Sequence, residues 1–179
     1  ELYSRIIITN MKDNFKQERV NLAAAFRWAA RLNMHEAVAN HFSLAVSDDG
    51  SKFLLNPIGM HFSQICASDL LVIDSKNAET MSQPNAPDAT AWAIHGAMHR
   101  NNLHARCILH VHPKYATILA CLEDKVMKPI DQNTMRFYEK VSIDYDYDGM
   151  GVGDEAERLC TILGDNSVLL MGNHGVLTA

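Results

Sequence analysis

The run Arg106-Cys107-Ile108-Leu109-His110-Val111-His112, closed by Pro113, constrains the fold more than any other stretch. It reads as a β-strand, because proline cannot donate to a sheet ladder and ends the run. Side chains on a strand alternate between faces, so His110 and His112 share one face while Cys107, Leu109 and Val111 turn to the other, toward a core. The pair therefore sits at the C-terminal mouth of a strand, where the sites of α/β sheets collect. A His-x-His pair placed so can bring two imidazole nitrogens to about 2.0–2.1 Å from one metal ion.

Strands and helices alternate around this segment. Residues 17–33 place Leu22, Ala25, Phe26, Ala29 and Leu32 at helical spacing, with Asn33 as the stop. Strands are predicted at 41–46 and 52–55, joined by a hairpin at Asp48-Asp49-Gly50, and a third, buried on both faces, at 68–74. Residues 82–87 form a loop, after which Asp88 caps a helix over 89–102. Further helices are expected at 114–122, 131–139 and 154–163, the last capped by Asp154, and further strands near Val126, at 141–145 and at 167–171. Residues 148–153 make a glycine-rich turn without the Lys-Ser/Thr of a phosphate loop, so no nucleotide site is read there. The alternation gives an α/β layered domain, and the hairpin makes its sheet mixed or antiparallel.

Composition narrows the partners. A chain of 179 residues suits one domain, and 47% hydrophobic with 21% charged residues supports an ordinary core. A net charge of −5 argues against nucleic acid as a partner. No apolar run approaches the ~20 residues that span a bilayer, so no membrane partner is expected. The four cysteines, Cys66, Cys107, Cys121 and Cys160, form no Cys-x-x-Cys pair, which points to a reduced, cytoplasmic chain.

Among the nine histidines, His174 completes the pair on the strand. It lies in Gly172-Asn173-His174-Gly175, after the apolar run Val168-Leu169-Leu170-Met171, and its flanking glycines admit close backbone approach. Three neutral imidazoles with one open position are the pattern of a catalytic zinc site. Spacing alone leaves metal binding and plain packing both open. His95 and His99 share a helix face among Ala91, Trp92 and Met98, which reads as packing, and His35, His61 and His104 read as surface or boundary residues. No His-Glu-x-x-His motif is present, which excludes a zincin. A divalent metal in such a site polarises a carbonyl and stabilises an enediolate or enolate, chemistry that suits reversible C–C cleavage, decarboxylation or epimerisation.

Taken together, these segments resemble the class II aldolase/adducin family. Asn40-His41-Phe42-Ser43, the turn Asn56-Pro57-Ile58-Gly59, the strand through Leu70-Leu71-Val72-Ile73-Asp74, the His110/His112 strand and Asn173-His174-Gly175 fall in the family's order and spacing between Arg19 and Leu177. The resemblance implies a three-layer α/β/α domain around a mainly antiparallel sheet. It implies that 1–179 is one such domain, lacking the C-terminal helices usual in the family. It also implies a divalent metal, zinc ahead of manganese or iron, held by His110, His112 and His174. A pocket lined by His41, Ser43, Gly59 and Thr90 would take a small-molecule carbonyl substrate, and the chain would form a homo-oligomer, a tetramer in much of the family.

The departures from the family pattern shape the functional reading. Where the aldolases carry a catalytic Glu, this chain has Ala91, and the nearest carboxylate is Asp88, the candidate proton carrier and equally a helix cap. The serine pair that binds phosphate in sugar-phosphate aldolases is reduced to Ala89-Thr90. Asn40-His41 stands in place of Gly-Asn, as in the adducin-like and decarboxylase-like branches. Asp131 and Gln132 occupy the region where some aldolases supply a tyrosine. Two readings follow: a metal-dependent lyase, aldolase- or decarboxylase-like, on a small hydroxy-keto or carbonyl acid, and a non-catalytic adducin-like protein-interaction domain.

Overall fold

The computed structural model describes residues 14–83, 86–146 and 151–179. Helix α1 (Lys16–Arg31) presents Leu22, Phe26 and Ala29 on one buried stripe, as its periodicity predicts, whereas Leu32 lies just past its end and is exposed, and Asn33 follows in the left-handed conformation that asparagine tolerates. Strands β1 (His41–Ala45), β2 (Lys52–Leu55) and β3 (Leu71–Asp74) follow, then a short 3-10 turn (Ala78–Ser82) and α2 (Ala89–Asn101). The rest of the chain runs β4 (Cys107–Val111), α3 (Lys114–Cys121), α4 (Gln132–Met135), β5 (Val141–Asp144), α5 (Asp154–Leu163), β6 (Val168–Met171) and β7 (Gly175–Thr178).

The seven strands form one sheet in the order β3-β2-β1-β4-β7-β6-β5. Every neighbouring pair is antiparallel except β5–β6, which is parallel, so the sheet is mixed and mainly antiparallel. One face carries Phe42, Leu54 and Val111 against Leu22 and Phe26 of α1. The other carries Ile108, Leu169 and Leu177 against Ile94 and Met98 of α2 and Leu159 and Leu163 of α5. The result is the expected three-layer α/β/α arrangement. Both faces of the sheet are covered, so Leu109 and Val111 do reach a core, and so does Ile108 on the histidine face.

Four expectations need correction. The third strand is shorter than 68–74 and lies at the sheet edge: Leu70 and Ile73 are buried but Val72 is exposed, because β3 has a neighbour on one side only. No strand forms near Val126, where the chain is irregular. The helix expected at 131–139 covers only Gln132–Met135: Asp131 caps it strongly, accepting from the amides of Asn133 and Thr134, but no residue of it is buried and Glu139 has φ +58°. Gly153 holds the N-cap position of α5, and Asp154 is instead its first helical residue, where its charge complements the helix dipole. Of the glycine-rich turn, residues 148–150 lie outside the described residues, as do Pro84 and Asn85 of the 82–87 loop. A seventh strand, β7, was not predicted, since glycine opens it.

Candidate metal centre and adjoining cleft

The centre is assembled by strand pairing. In the β1–β4 ladder His41 stands opposite His110, and in the β4–β7 ladder His110 stands opposite Leu177. His112 lies one residue past β4, and His174 lies in the turn between β6 and β7. That turn folds His174 back over the end of β4. The Nε2 atoms of His110, His112 and His174 form a triangle with sides of 3.0, 3.0 and 3.1 Å. They are the group of His, Cys, Asp or Glu side chains placed to hold a metal ion among the described residues. A tetrahedral zinc site with bonds of ~2.0–2.1 Å has ligand nitrogens ~3.3 Å apart, close to this spacing.

Proton placement supports the fit. The Nδ1 of His110 donates to the Val176 carbonyl at 3.2 Å, and the Nδ1 of His112 donates to the Glu36 carboxylate at 2.5 Å. Both acceptors lack a proton to give, so the proton stays on Nδ1 and Nε2 is left as the ligand atom. Burial first, and then the neighbouring histidines, holds His110 well below the usual imidazole range, and burial lowers His174 to about 4. Neutral nitrogens crowded at 3.0 Å repel one another unless a cation lies between them, so the donor set suits a divalent metal. Glu36, which orients His112, was not anticipated: it sits in an irregular segment whose position relative to β4 no periodicity reports.

A cleft of about 230 Å³ adjoins the centre, lined in part by Asn40, His41, Asn56, Gly59, Asp88 and Ala91. His41 lines the cleft and lies next to the centre, its ring centroid 4.9 Å from that of His110. Burial lowers His41 to about 4, with the Asp88 charge pulling the other way. Asp88 caps α2, accepting from the Ala91 amide at 3.0 Å and from the Thr90 hydroxyl in a short hydrogen bond. Burial opposes its ionisation, yet these hydrogen bonds outweigh it and keep its carboxyl below the usual range. Asp88 thus caps the helix and faces the cleft at once.

The remaining candidates fall in different places. Gly59 lines the cleft in a left-handed turn (φ +75°). Thr90 spends its hydroxyl on Asp88. Ser43 is fully buried, with Oγ 2.5 Å from His95 Nδ1 and 2.7 Å from His99 Nε2, so it lies behind the cleft wall. His95 and His99 are buried as expected, but they form a polar network instead of apolar packing. Burial, above all, lowers His99 to about 4 and His95 well below its usual range. Of the residues taken for surface, His35 and His61 meet at 2.7 Å between Nε2 atoms.

A three-layer α/β/α domain with three histidines converging at the ends of β4 and β6 defines a class II aldolase-type domain. Residues 20–179 match the Class II Aldolase and Adducin N-terminal domain, and the chain belongs to that family. It is 26% identical over 187 residues to an adducin-related protein of Schizosaccharomyces pombe, covering 100% of this chain and 56% of that one. The structure of an aldolase II superfamily protein from Pseudomonas syringae superposes with a TM-score of 0.79 at 31% identity, over 89% of this chain and 64% of the other. An L-fuculose 1-phosphate aldolase from Glaciozyma antarctica PI12 superposes with a TM-score of 0.74 at 23% identity, over 89% and 62%, a likeness of fold. The chain spans less than two thirds of each of these proteins. Among the described residues no helix is long and apolar enough to cross a membrane.

Proposed function

We propose that the protein is a metal-dependent lyase, aldolase- or decarboxylase-like, acting on a small hydroxy-keto or carbonyl acid. The observation that carries this reading is the convergence of the His110, His112 and His174 Nε2 atoms beside a cleft. A divalent cation, zinc first among the candidates, would be held by His110, His112 and His174 and would supply a Lewis acid for a substrate carbonyl. The chain's own residues do the rest. Glu36 orients His112, the Val176 carbonyl orients His110, and His41 and Asp88 present hydrogen-bond acceptors to the substrate. Asp88, ionised at neutral pH, is the group placed to take a proton. Four unpaired cysteines suit a reducing, cytoplasmic setting, and exposed apolar side chains such as Tyr115 and Ile130 suit a homo-oligomer.

The experiment is element analysis together with a lyase assay. We expect stoichiometric metal in the wild type after metal-supplemented expression, and loss of most of it in His110→Ala. Asn caps helices as well as Asp does, so Asp88→Asn keeps the cap and the metal while depressing turnover. Unaltered metal content in His110→Ala overturns the assignment. A second reading, an adducin-like interaction domain, is favoured by Ala91 lining the cleft where the resemblance places an acid. Absence of metal from the supplemented wild type selects it.

A further inference from the structure

The buried polar chain behind the cleft has a direction, and following it assigns hydrogen-bonding roles inside the cleft. It begins at the Ala105 carbonyl, which can only accept. His99 Nδ1 therefore donates to it, at 2.7 Å, and His99 Nε2 is an acceptor. Ser43 Oγ lies 2.7 Å from that nitrogen and must donate its proton there. The same oxygen then accepts from His95 Nδ1 at 2.5 Å, which leaves His95 Nε2 as an acceptor. His41 Nδ1, 2.7 Å away, donates to it. Each neutral ring has one proton, so a carbonyl four links away fixes the tautomer of His41. Its Nε2 is left as a bare lone pair on a residue that lines the cleft, bonded to nothing among the described residues.

A second chain of constraint ends on the neighbouring residue. Asn40 Oδ1 accepts from the Glu36 amide at 2.6 Å, and a backbone amide can only donate, so the orientation of the Asn40 side chain is fixed. Its Nδ2 is buried with no partner among the described residues, and Asn40 also lines the cleft. One fixed acceptor and one unsatisfied donor thus stand on adjacent residues. The Asp88 carboxylate, a further acceptor, lines the same wall.

We propose that Asn40 and His41 form a subsite for a substrate hydroxyl, with Ser43, His95 and His99 acting as positioning residues that hold His41 with Nε2 open to accept from it. A hydroxyl can accept from Asn40 Nδ2 and donate to His41 Nε2. A phosphate group matches poorly, since its ionised oxygens meet a lone pair and a carboxylate. The group this subsite takes is on this basis a hydroxyl of a carbonyl acid and not its phosphate. This proposal rests on the lyase reading for its substrate, but its hydrogen-bond assignments stand independently of the metal.

The test is nitrogen-15 NMR of the imidazoles in the full chain, coupled to zinc analysis and ligand titration. In the metal-free wild type, His41 is expected to show a protonated Nδ1 and an unprotonated Nε2; the reverse tautomer overturns the proposal. Ser43→Ala cuts the relay and leaves the zinc ligands in place. It should bring in the second tautomer of His41 without changing zinc stoichiometry, and Ser43→Thr should restore the single form. A His41 spectrum unmoved by Ser43→Ala overturns the relay. For the subsite, glycolate and acetate are titrated into zinc-loaded protein. The hydrogen bond to His41 Nε2 contributes about three- to tenfold to glycolate's advantage, and Ser43→Ala should reduce that advantage, the bond from Asn40 Nδ2 remaining. Equal binding in the wild type, or an advantage undiminished in the variant, overturns the hydroxyl assignment. If the wild type takes up no zinc, the lyase reading falls, and the tautomer data still decide the relay.

Discussion

Glycine at position 175 is what allows the third histidine to meet the other two, and Gly175→Ala should therefore damage the candidate metal centre from outside the three histidines. A Cβ at this position would stand 2.5 Å from His112 Cδ2, 2.8 Å from the Val111 carbonyl oxygen and 3.3 Å from His112 Nε2. Non-bonded carbons sit about 3.5–4.0 Å apart, so the ring contact is short by roughly 1 Å. The Val111 carbonyl cannot give way easily, because β4 and β7 are paired there, Val111 opposite Val176. The His112 ring must therefore move, by a distance near half the ~2.1 Å length of a zinc–imidazole bond. Overpacking of this kind costs about 1–3 kcal/mol. Displacing a ligand that its surroundings orient weakens a site by about 10–100-fold. The assay is zinc competition against a chromogenic chelator, with urea unfolding of the metal-free protein. We expect Gly175→Ala to lower zinc affinity within that range and unfolding free energy by about 1–3 kcal/mol. His112→Ala in the same chain should recover part of the stability, since the clash with the ring is gone. Wild-type zinc affinity in Gly175→Ala would refute the reasoning.

Three further outcomes follow from neighbouring parts of the structure. Glu36→Gln keeps an acceptor for His112 Nδ1 but removes its charge, and should weaken zinc binding by about tenfold, read in the same chelator assay. The metal-free protein should lose stability as pH falls from 6.5 toward 4. Buried His95 and His99 stay neutral when folded, His99 down to about 4, whereas the unfolded chain takes up their protons near 6.5. Each therefore contributes a slope of about 1.4 kcal/mol per pH unit, with stability complete above that window, and urea unfolding at pH 5 and pH 7 measures it. Arg158→Met should cost about 3 kcal/mol, because it strips the paired hydrogen bonds of 2.7 and 2.9 Å from Asp144, a carboxylate buried at the end of β5; Asp144→Asn in the same chain should restore part of the loss in thermal unfolding.

The strand periodicity of 106–112 put His110 and His112 on one face, and the glycines around His174 signalled close approach, so the convergence of the three histidines was legible in the sequence. What the pattern could not tell was which element covers that face. His95 and His99 read as packing because helical spacing reports a shared stripe and says nothing of Ser43 across the interface with β1. Glu36 gave no signal, since it lies in no periodic segment. The edge position of β3 was missed for a related reason: Leu70-Leu71-Val72-Ile73 is apolar throughout, and only sheet order shows that Val72 faces solvent. Strand β7 was missed because Gly175 reads as a turn, although it is required there by the approach of His112.

One stripe of α2 ties these features together. Asp88, Ala91, His95 and His99 follow one another at three- and four-residue steps, so they lie on a single face from the N-cap onward. The first two line the cleft and the last two anchor His41 from behind. The resemblance to the aldolases places an acid at Ala91, on the cleft part of this stripe. Replacing it with alanine removes a proton carrier but leaves the deeper part of the stripe to fix the orientation of a histidine. The polar groups lining the cleft are then supplied from the helix cap and from β1. Restoring a carboxylate with Ala91→Glu separates the two consequences. If the centre retains the geometry for aldolase chemistry, the variant gains retro-aldol activity on a hydroxylated keto acid while His41 keeps its tautomer. If the cleft has been rebuilt around His41 and Asp88, a second carboxylate beside Asp88 repels the first, and turnover falls with zinc content unchanged.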